Sequence, residues 1–240
     1  MEKCMAYAQF ADAVLFTDAG QVVAQDLNTA MRIVDIPKLE SAMAYSDFML
    51  RKLVDFIETD HCLVVQWDGH IIDPARWRPE FLDYDYVGAS WPQFSDGYNV
   101  GNGGFSLRSH RMMKACLQSD FEIHHPEDVA ICRSNRAFLE GQGMRFAPAA
   151  LADAFSAERS GDPSESFGYH GVFLMPSVLG TDRFWEVYQS LDDRSSVRHD
   201  FGHLLKSLQC GQNLVLRSLR MIANRMFDSI FNRKHPRQTL

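Results

Sequence analysis

The chain has 240 residues, of which 46% are hydrophobic and 23% charged, and its net charge is −7. This composition excludes a disordered, collagen-like or coiled-coil protein, and no apolar run approaches the roughly 18 residues of a membrane-spanning helix. Gln9 and Asp12 interrupt the apolar stretch that a signal peptide needs, which predicts a cytoplasmic protein. The 5 cysteines are scattered and never form C-x-x-C, so we expect free thiols rather than disulfides or a zinc site.

The charge is distributed unevenly along the chain. Residues 1–205 carry 17 basic and 30 acidic side chains, whereas residues 206–240 carry seven basic side chains and one acidic side chain. The acidic first part argues against a nucleic-acid-binding domain. The basic tail therefore needs an explanation of its own.

Short apolar runs alternate with helical patterns in the first part of the chain. Residues 13–16 and 31–34 predict two strands, and residues 61–66 predict a buried strand that ends at Trp67-Asp68-Gly69. Ser41 is a typical N-cap for a helix between the second and third of these strands. Strands that alternate with helices in this way predict a largely parallel α/β sheet.

The middle of the chain is rich in proline, glycine and aromatic residues. Residues 73–99 predict an irregular region, because they combine three prolines with many aromatic side chains. The remaining predicted elements, in chain order, are a strand over residues 105–107, a helix from Ser109 to Leu117, a helix from Pro126 to Gly141, a short strand over residues 146–148 and a polar loop over residues 156–166.

Two motifs could bring a ligand close to the backbone. Asp68 follows an apolar strand, where open α/β sheets bind ligands and where a carboxylate suits a hard cation, although Asp-Gly is also a common turn. Gly101-Asn102-Gly103-Gly104 permits close approach of a ligand to the main chain, but it is equally typical of a flexible hairpin. Neither motif decides between the two interpretations.

Two further motifs carry titratable side chains. Glu127 and Asp128 follow Pro126, so they could complement a helix dipole or supply a general base. His170 lies between Tyr169 and Gly171 and is either a packed residue or a metal ligand. These alternatives also remain open on the residues alone.

The order of these motifs resembles a known bacterial family. From residue 14 to about residue 174 the chain contains, in order, W-D-G, F-L-D-Y-D-Y-V-G-A-S-W-P, V-G-N-G-G-F-S-L-R-S, P-E-D-V, F-A-P and F-G-Y-H-G. This series is similar to a family that is catalogued as a domain of unknown function and described as GT-A-type glycosyltransferases. The V-G-N-G-G and P-E-D-V motifs are the most specific parts of the resemblance.

The resemblance implies a fold and a domain organisation. We expect a GT-A-like α/β fold, a Rossmann-like, mixed but mostly parallel sheet, over residues 1–180 and a helical extension over residues 181–240. On this resemblance we also expect the first strand of the GT-A pattern to be missing, since Met1–Phe10 would match the end of the first helix and residues 13–16 the second strand.

The resemblance also implies site residues. A divalent cation, Mn²⁺ or Mg²⁺, would bind Asp68 and His170, and Gln66 stands where GT-A enzymes usually carry the first acid of Asp-x-Asp. Asp128, with Glu127 beside it, would be the catalytic base, and Trp91 would stack on the acceptor sugar. The residues expected to contact the nucleotide-sugar donor are Asp18, Gln66, Gly69, Asn102, Gly103 and Gly104.

The predicted reaction is transfer of a sugar, with inversion, to a hydroxyl of a glycan or lipid-linked acceptor. The rival interpretation is a non-catalytic nucleotide-sugar-binding or interaction module, and a phosphohydrolase ranks below both. Trp67 could also stack on a sugar; loop packing is the alternative for both Trp67 and Trp91, and it is the favoured interpretation of Trp67.

Apolar residues from Leu204 onward recur every three or four positions, which predicts a basic amphipathic helix, or two helices broken near Gly211. This tail would pack on the acidic part of the chain or lie on an anionic membrane surface at the cytoplasmic face.

Overall fold

The computed structural model describes residues 1–18, 30–191, 194–210 and 212–231, and it shows a mixed α/β protein with several small sheets. The chain divides into two units, Met1–His170 and Gly171–Leu240. The sequence placed this division after residue 180, whereas the observed one follows His170. Every candidate catalytic, metal and donor residue therefore lies in the first unit.

The first unit contains short strands and short helices. Its strands are β1 (Val14–Thr17), β2 (Arg32–Asp35), β3 (His61–Val65), β4 (Gly69–Ile71), β5 (Tyr86–Val87), β6 (Ala89–Ser90), β7 (Val100–Gly101), β8 (Phe105–Ser109), β9 (Ser156–Ala157) and β10 (Gly168–His170). Its α-helices are α1 (Glu2–Tyr7), α2 (Ala42–Arg51), α3 (His110–Ala115), α4 (Glu127–Val129), α5 (Arg136–Gly141) and α6 (Ala149–Phe155).

The second unit is helical. Its α-helices are α7 (Met175–Leu179), α8 (Thr181–Ser190), α9 (Phe201–Ser207) and α10 (Leu214–Phe231). Of the two alternatives that the sequence left open, one helix or two, the structure has two, α9 and α10; Gly211 itself lies outside the described ranges. Within those ranges, no helix combines the length and the apolar character that crossing a bilayer requires.

The strand pairing corrects the expectation of a mostly parallel sheet. The described strands form the sheets β1-β2, β3-β8-β5, β4-β10-β9 and β6-β7, and only the β1-β2 and β9-β10 pairs are parallel. Parallel neighbours need a long crossover connection, usually a helix. The chain between β3 and β8, which is described throughout, contains the short strands β4 to β7 and 3-10 turns at Pro74–Arg76 and Pro79–Asp83 but no α-helix, and β8 pairs antiparallel with β3.

The predicted helix starts are confirmed where a serine caps them. The Ser41 hydroxyl accepts a hydrogen bond from the Ala44 amide at 3.1 Å, and the Ser109 hydroxyl accepts one from the Met112 amide at 3.1 Å. Each bond satisfies an amide that has no partner within the first helical turn. Local sequence was sufficient here because the capping residue lies only three positions from its donor.

The helix predicted from Pro126 to Gly141 is interrupted. A π-helical turn at Ala130–Ser134 separates α4 from α5. The Asn135 amide and side-chain nitrogen both donate to the Ala130 carbonyl at 3.0 Å, while Asn135 Oδ1 accepts from the Glu122 amide at 2.8 Å. The wider turn therefore follows from one asparagine that binds backbone groups on both sides.

Two smaller predictions also change. Residues 146–148 do not form a strand, because Phe146 makes only an isolated parallel bridge to Tyr86. Within the predicted loop over residues 156–166, Ser156 and Ala157 form β9 beside β10. This added strand places the residue after Ala157 next to His170.

An aromatic cluster holds β4, β8 and β10 in place. Phe81, Phe105 and Phe155 are fully buried, and the centre of the Phe155 ring lies 5.1 Å from that of Phe81 and 5.3 Å from that of Phe105. Gly168 of β10 lies so close to Phe105 that a Cβ at residue 168 would be 2.4 Å from the ring. Burial of this much aromatic surface stabilises the strand ends from which the candidate site is built.

Candidate functional site

The pairing of β4 with β10 brings Asp68 and His170 together. His170 of β10 lies opposite Gly69 of β4 in the antiparallel register, and Asp68 directly precedes Gly69 in the chain. Asp68 Oδ1 is 3.3 Å from His170 Nε2, and Asp68 is only 7% exposed. The two residues predicted to share a metal are thus in direct contact.

Glu158 joins this pair and was missed in the sequence. It follows β9, and its Oε1 is 3.1 Å from His170 Nδ1. No sequence pattern indicated it, because Glu158 belongs to none of the motifs and precedes a polar, glycine-containing stretch. We define Asp68, Glu158 and His170 as the carboxylate–histidine group.

The two carboxylates control the proton of His170. Burial by itself lowers the pKa of the imidazole, but the contacts and charges of Asp68 and Glu158 outweigh it and raise the pKa of His170 to about 10. At neutral pH the imidazole therefore carries a positive charge between two negative ones. This arrangement keeps the ring in one orientation, with Nδ1 towards Glu158 and Nε2 towards Asp68.

Polar atoms in this group lack an aligned hydrogen bond. Among the described residues, neither Asp68 Oδ1 nor His170 Nε2 has a hydrogen-bond partner, although the two atoms are 3.3 Å apart. Buried polar atoms almost always find a partner in folded proteins. The pair therefore retains unused capacity to bind a ligand.

The segment Gly101-Asn102-Gly103-Gly104, which we call the glycine segment, lies directly against the carboxylate–histidine group on one side. A Cβ at Gly104 would be 2.0 Å from His170 Nε2. On the other side, a Cβ at Gly103 would be 2.1 Å from Glu127 Oε1, and the Gly103 amide donates to Asp128 Oδ2 at 3.1 Å. Because consecutive Cα atoms are about 3.8 Å apart, Nε2 of His170 lies no more than about 11 Å from Oε1 of Glu127.

Asn102 shapes this glycine segment. Its φ of 74° is in the left-handed region, and its Oδ1 accepts a hydrogen bond from the Gly104 amide at 3.0 Å. Its carbonyl oxygen accepts from the Tyr86 hydroxyl at 2.9 Å, while its side-chain nitrogen is buried without a partner among the described residues. The segment is therefore a fixed turn rather than a flexible hairpin.

The adjacent acids Glu127 and Asp128 have different environments. Glu127 is buried, and its Oε1 is 3.2 Å from Nη2 of Arg108, which is itself fully buried. A buried pair of this kind is structural, since loss of either partner leaves an unpaired charge. Glu127 therefore holds Arg108, and the base role predicted for the acidic pair is left to Asp128.

Asp128 is part-buried at the start of α4. Burial and the neighbouring charge of Glu127 raise its pKa to about 6, although the amides of Val129 and Gly103, at 2.8 and 3.1 Å, oppose the shift. A carboxyl group with a pKa near neutrality accepts a proton more readily than an ordinary aspartate does. The electrostatics of the site therefore suit Asp128 to general-base chemistry.

The remaining predicted donor residues are Gln66, Gly69 and Asp18, and in the described part of the chain only the first two contact residues of this site. The Gln66 side chain donates to the Tyr45 hydroxyl at 2.6 Å, and the Gln66 amide donates to the Gly104 carbonyl at 2.7 Å. A Cβ at Gly69 would be 2.8 Å from the Tyr169 carbonyl oxygen, so this position requires glycine. Asp18 follows β1 and forms no hydrogen bond with the carboxylate–histidine group or with Asp128 among the described residues.

The structure corrects the interpretation of Trp91. Trp91 is 7% exposed and belongs to a hydrophobic core cluster, where its indole fills the space that a Cβ at Gly101 would occupy. It does not present a face to an acceptor sugar. Trp67, which precedes Asp68, is 47% exposed instead.

Comparison with known proteins identifies the family but no characterised relative. The family model described as "Protein of unknown function (DUF5672)" matches residues 28–170, which include every residue of the site described above except Asp18. No curated protein and no solved structure matches the chain. Because the match covers more than half of the 240 residues and ends at His170, the chain belongs to the family DUF5672, whose function is unknown.

Proposed function

We propose that this protein is a glycosyltransferase that moves a sugar from a nucleotide-sugar donor to an acceptor hydroxyl, with inversion and with the help of a divalent cation. One observation carries the proposal. Four separate sequence motifs, W-D-G, V-G-N-G-G, P-E-D-V and Y-H-G, supply Asp68, Gly103–Gly104, Asp128 and His170 to a single site. These are the segments in which the chain resembles GT-A-type enzymes, so the resemblance and the geometry concern the same residues.

Asp128 is the proposed base. Its carboxylate takes the proton of the acceptor hydroxyl as the hydroxyl oxygen forms a bond to the anomeric carbon. The bond from that carbon to the diphosphate oxygen breaks, and its electron pair leaves with the nucleoside diphosphate. A single displacement from the opposite face inverts the anomeric centre, and the proton remains on Asp128.

The residues present fit a divalent cation. Asp68 Oδ1 and His170 Nε2 are 3.3 Å apart, neither has a hydrogen-bond partner among the described residues, and carboxylate and neutral imidazole are both ligands of Mn²⁺. Cation binding would release the Nε2 proton that His170 carries at neutral pH. Glu158 holds the other ring nitrogen, as outer carboxylates commonly do for metal-binding histidines. Among the described residues no group of three acids, cysteines or histidines is arranged to hold a metal, so two protein ligands would be completed by phosphate oxygens and water. A bound cation would stabilise the negative charge that develops on the leaving diphosphate.

The glycine segment and Trp67 complete the proposed site. Glu127 Oε1 and His170 Nε2 occupy the space that a Cβ at Gly103 and at Gly104 would need, so the two glycines let the acidic pair and the carboxylate–histidine group pack against one main-chain segment. The donor would contact this segment through its main chain. Trp67 is exposed beside Asp68 and can stack on a sugar or a nucleotide base. We therefore transfer the stacking role from Trp91 to Trp67.

The proposal is tested by titration calorimetry with UDP and GDP, with and without Mn²⁺. We expect nucleotide binding that depends on Mn²⁺ and that Asp68→Ala abolishes, because this substitution removes one of the two protein ligands. Asp83→Ala, which removes an exposed aspartate elsewhere, is the matched control and should bind normally. No nucleotide binding by the folded protein would favour the rival interpretation, a non-catalytic interaction module.

A further inference from the structure

Helix α10 exposes a broad apolar face to solvent. Five of its large apolar side chains are each at least 39% exposed, and they recur at helical spacing. They are Val215, Leu216, Leu219, Ile222 and Met226. We call these five residues the apolar face of α10. A soluble helix normally directs such a face into its own core, so this orientation requires a partner.

The opposite side of α10 packs through polar contacts on its own unit. Arg217 forms an ion pair with Asp182 of α8, and Asn224 donates to the Tyr188 hydroxyl at 3.2 Å. Met221 is fully buried on the same side. The helix is therefore anchored by its polar and mixed face, which fixes the apolar face outward.

Basic residues border the apolar face. At about 100° per residue, Arg220 lies next to Leu216 on the helix surface, and Arg225 lies beyond the other edge. The Arg225 guanidinium is 4.3 Å from the centre of the Phe201 ring, which holds it at the helix. Past the helix the sequence adds Arg233, Lys234 and Arg237 with no acid. An apolar face with a cationic border is the pattern of helices that lie in the headgroup region of a membrane.

We propose that α10 binds the surface of an anionic phospholipid membrane, with its apolar face among the acyl chains and the bordering Arg220 and Arg225 at the headgroups. Charge selects this partner over a second copy of the chain. A second copy carries the same basic border, so pairing two such faces brings like charges together, whereas an anionic bilayer neutralises them. This inference is independent of the glycosyltransferase proposal, because the site residues end at His170 and no residue of α10 belongs to them.

The experiment is flotation of the full chain with vesicles of phosphatidylcholine alone and of phosphatidylcholine mixed with phosphatidylglycerol. We expect flotation with the mixed vesicles, weakened by about 0.5 M salt because salt screens headgroup charge. Leu216→Glu/Leu219→Glu should reduce the bound fraction by at least about tenfold, since it places two charges where apolar side chains insert. Leu82→Glu/Leu117→Glu changes the same residue types at exposed positions of the first unit and should bind like the parent chain.

Three outcomes would overturn the inference. The first is a parent chain that does not float with anionic vesicles. The second is equal flotation of the α10 variant and its control. The third is a parent chain that forms a dimer in solution, with the dimer rather than vesicle binding lost in Leu216→Glu/Leu219→Glu, which would assign the face to a second copy. Circular dichroism and thermal unfolding establish that both double variants remain folded.

Discussion

Gly104 leaves the space that the His170 imidazole occupies. A Cβ at residue 104 would be 2.0 Å from His170 Nε2, which is closer than two such atoms can approach. The imidazole reaches Asp68 at 3.3 Å only because residue 104 has no side chain. A glycine that the sequence suggested for contact with a substrate is thus also required by the packing of the histidine.

We therefore expect Gly104→Ala to displace the imidazole and to abolish Mn²⁺-dependent nucleotide binding. Overpacking should also lower the free energy of unfolding by about 1–3 kcal/mol. Gly141→Ala is the matched control, because a Cβ there would meet nothing within 4 Å and alanine favours a helix. Calorimetry and urea unfolding measure the two effects, and normal nucleotide binding by Gly104→Ala would contradict the role of this contact.

Glu158 should set the pH dependence of His170. The pKa of His170 is raised from 6.5 to about 10, so the stability that this interaction contributes is fully present below pH 6.5 and is lost as pH rises through 10. In Glu158→Gln the pKa of His170 should fall towards 6.5, and the decline in unfolding free energy between these pH values should become shallower. NMR titration of the imidazole and urea unfolding across this range measure both quantities.

The control for that experiment is Glu165→Gln, which neutralises an exposed glutamate in the same region. It should leave the pKa of His170 and the stability profile unchanged. An unaltered pKa in Glu158→Gln would show that Asp68 alone holds the proton.

Asp128→Asn should separate activity from stability. The parent aspartate has a pKa raised from 3.8 to about 6, so the unfolded chain ionises first and stability falls as pH rises through this range. Asparagine avoids that cost, and the variant should gain about 1–3 kcal/mol relative to the parent chain between pH 4 and pH 7. Sugar transfer should be abolished while nucleotide binding is retained; transfer at the parent rate would exclude Asp128 as the base.

Glu127→Gln should have the opposite effect on stability. It leaves the fully buried Arg108 without its carboxylate, and breaking a buried ion pair costs about 3–5 kcal/mol. Glu122→Gln, at an exposed glutamate nearby, should change the free energy of unfolding by less than about 0.5 kcal/mol. Equal stabilities of the two variants in urea would show that Glu127 does not hold Arg108.

The two tryptophans provide a further contrast. Trp91→Ala removes a core side chain and should lower the free energy of unfolding by about 3–5 kcal/mol. Trp67→Ala should leave stability almost unchanged but weaken donor or acceptor binding, because Trp67 is exposed beside Asp68. Urea unfolding and calorimetry distinguish these outcomes, and wild-type ligand binding by Trp67→Ala would remove it from the site.

Local sequence was enough to predict several elements of the fold. The positions of β1, β2 and β3, the caps at Ser41 and Ser109, and the two C-terminal helices depend on residues within a few positions of one another. Hydrophobic spacing and capping are short-range effects, so they can be read along the chain. Strand direction depends on distant partners, and for this reason the expectation of a mostly parallel sheet was wrong.

The candidate site shows the same contrast between what local sequence predicts and what depends on distant contacts. The sequence by itself was enough to select Asp68, the pair Gly103 and Gly104, Asp128 and His170 as candidate site residues, since residue type and motif order suffice for that. Only the tertiary structure decided that Glu158 joins His170, that Glu127 is occupied by Arg108, and that Trp67 rather than Trp91 is exposed. These outcomes depend on burial and on contacts between residues far apart in the chain, and a pKa or an exposed face is a property of that packing rather than of the residue alone.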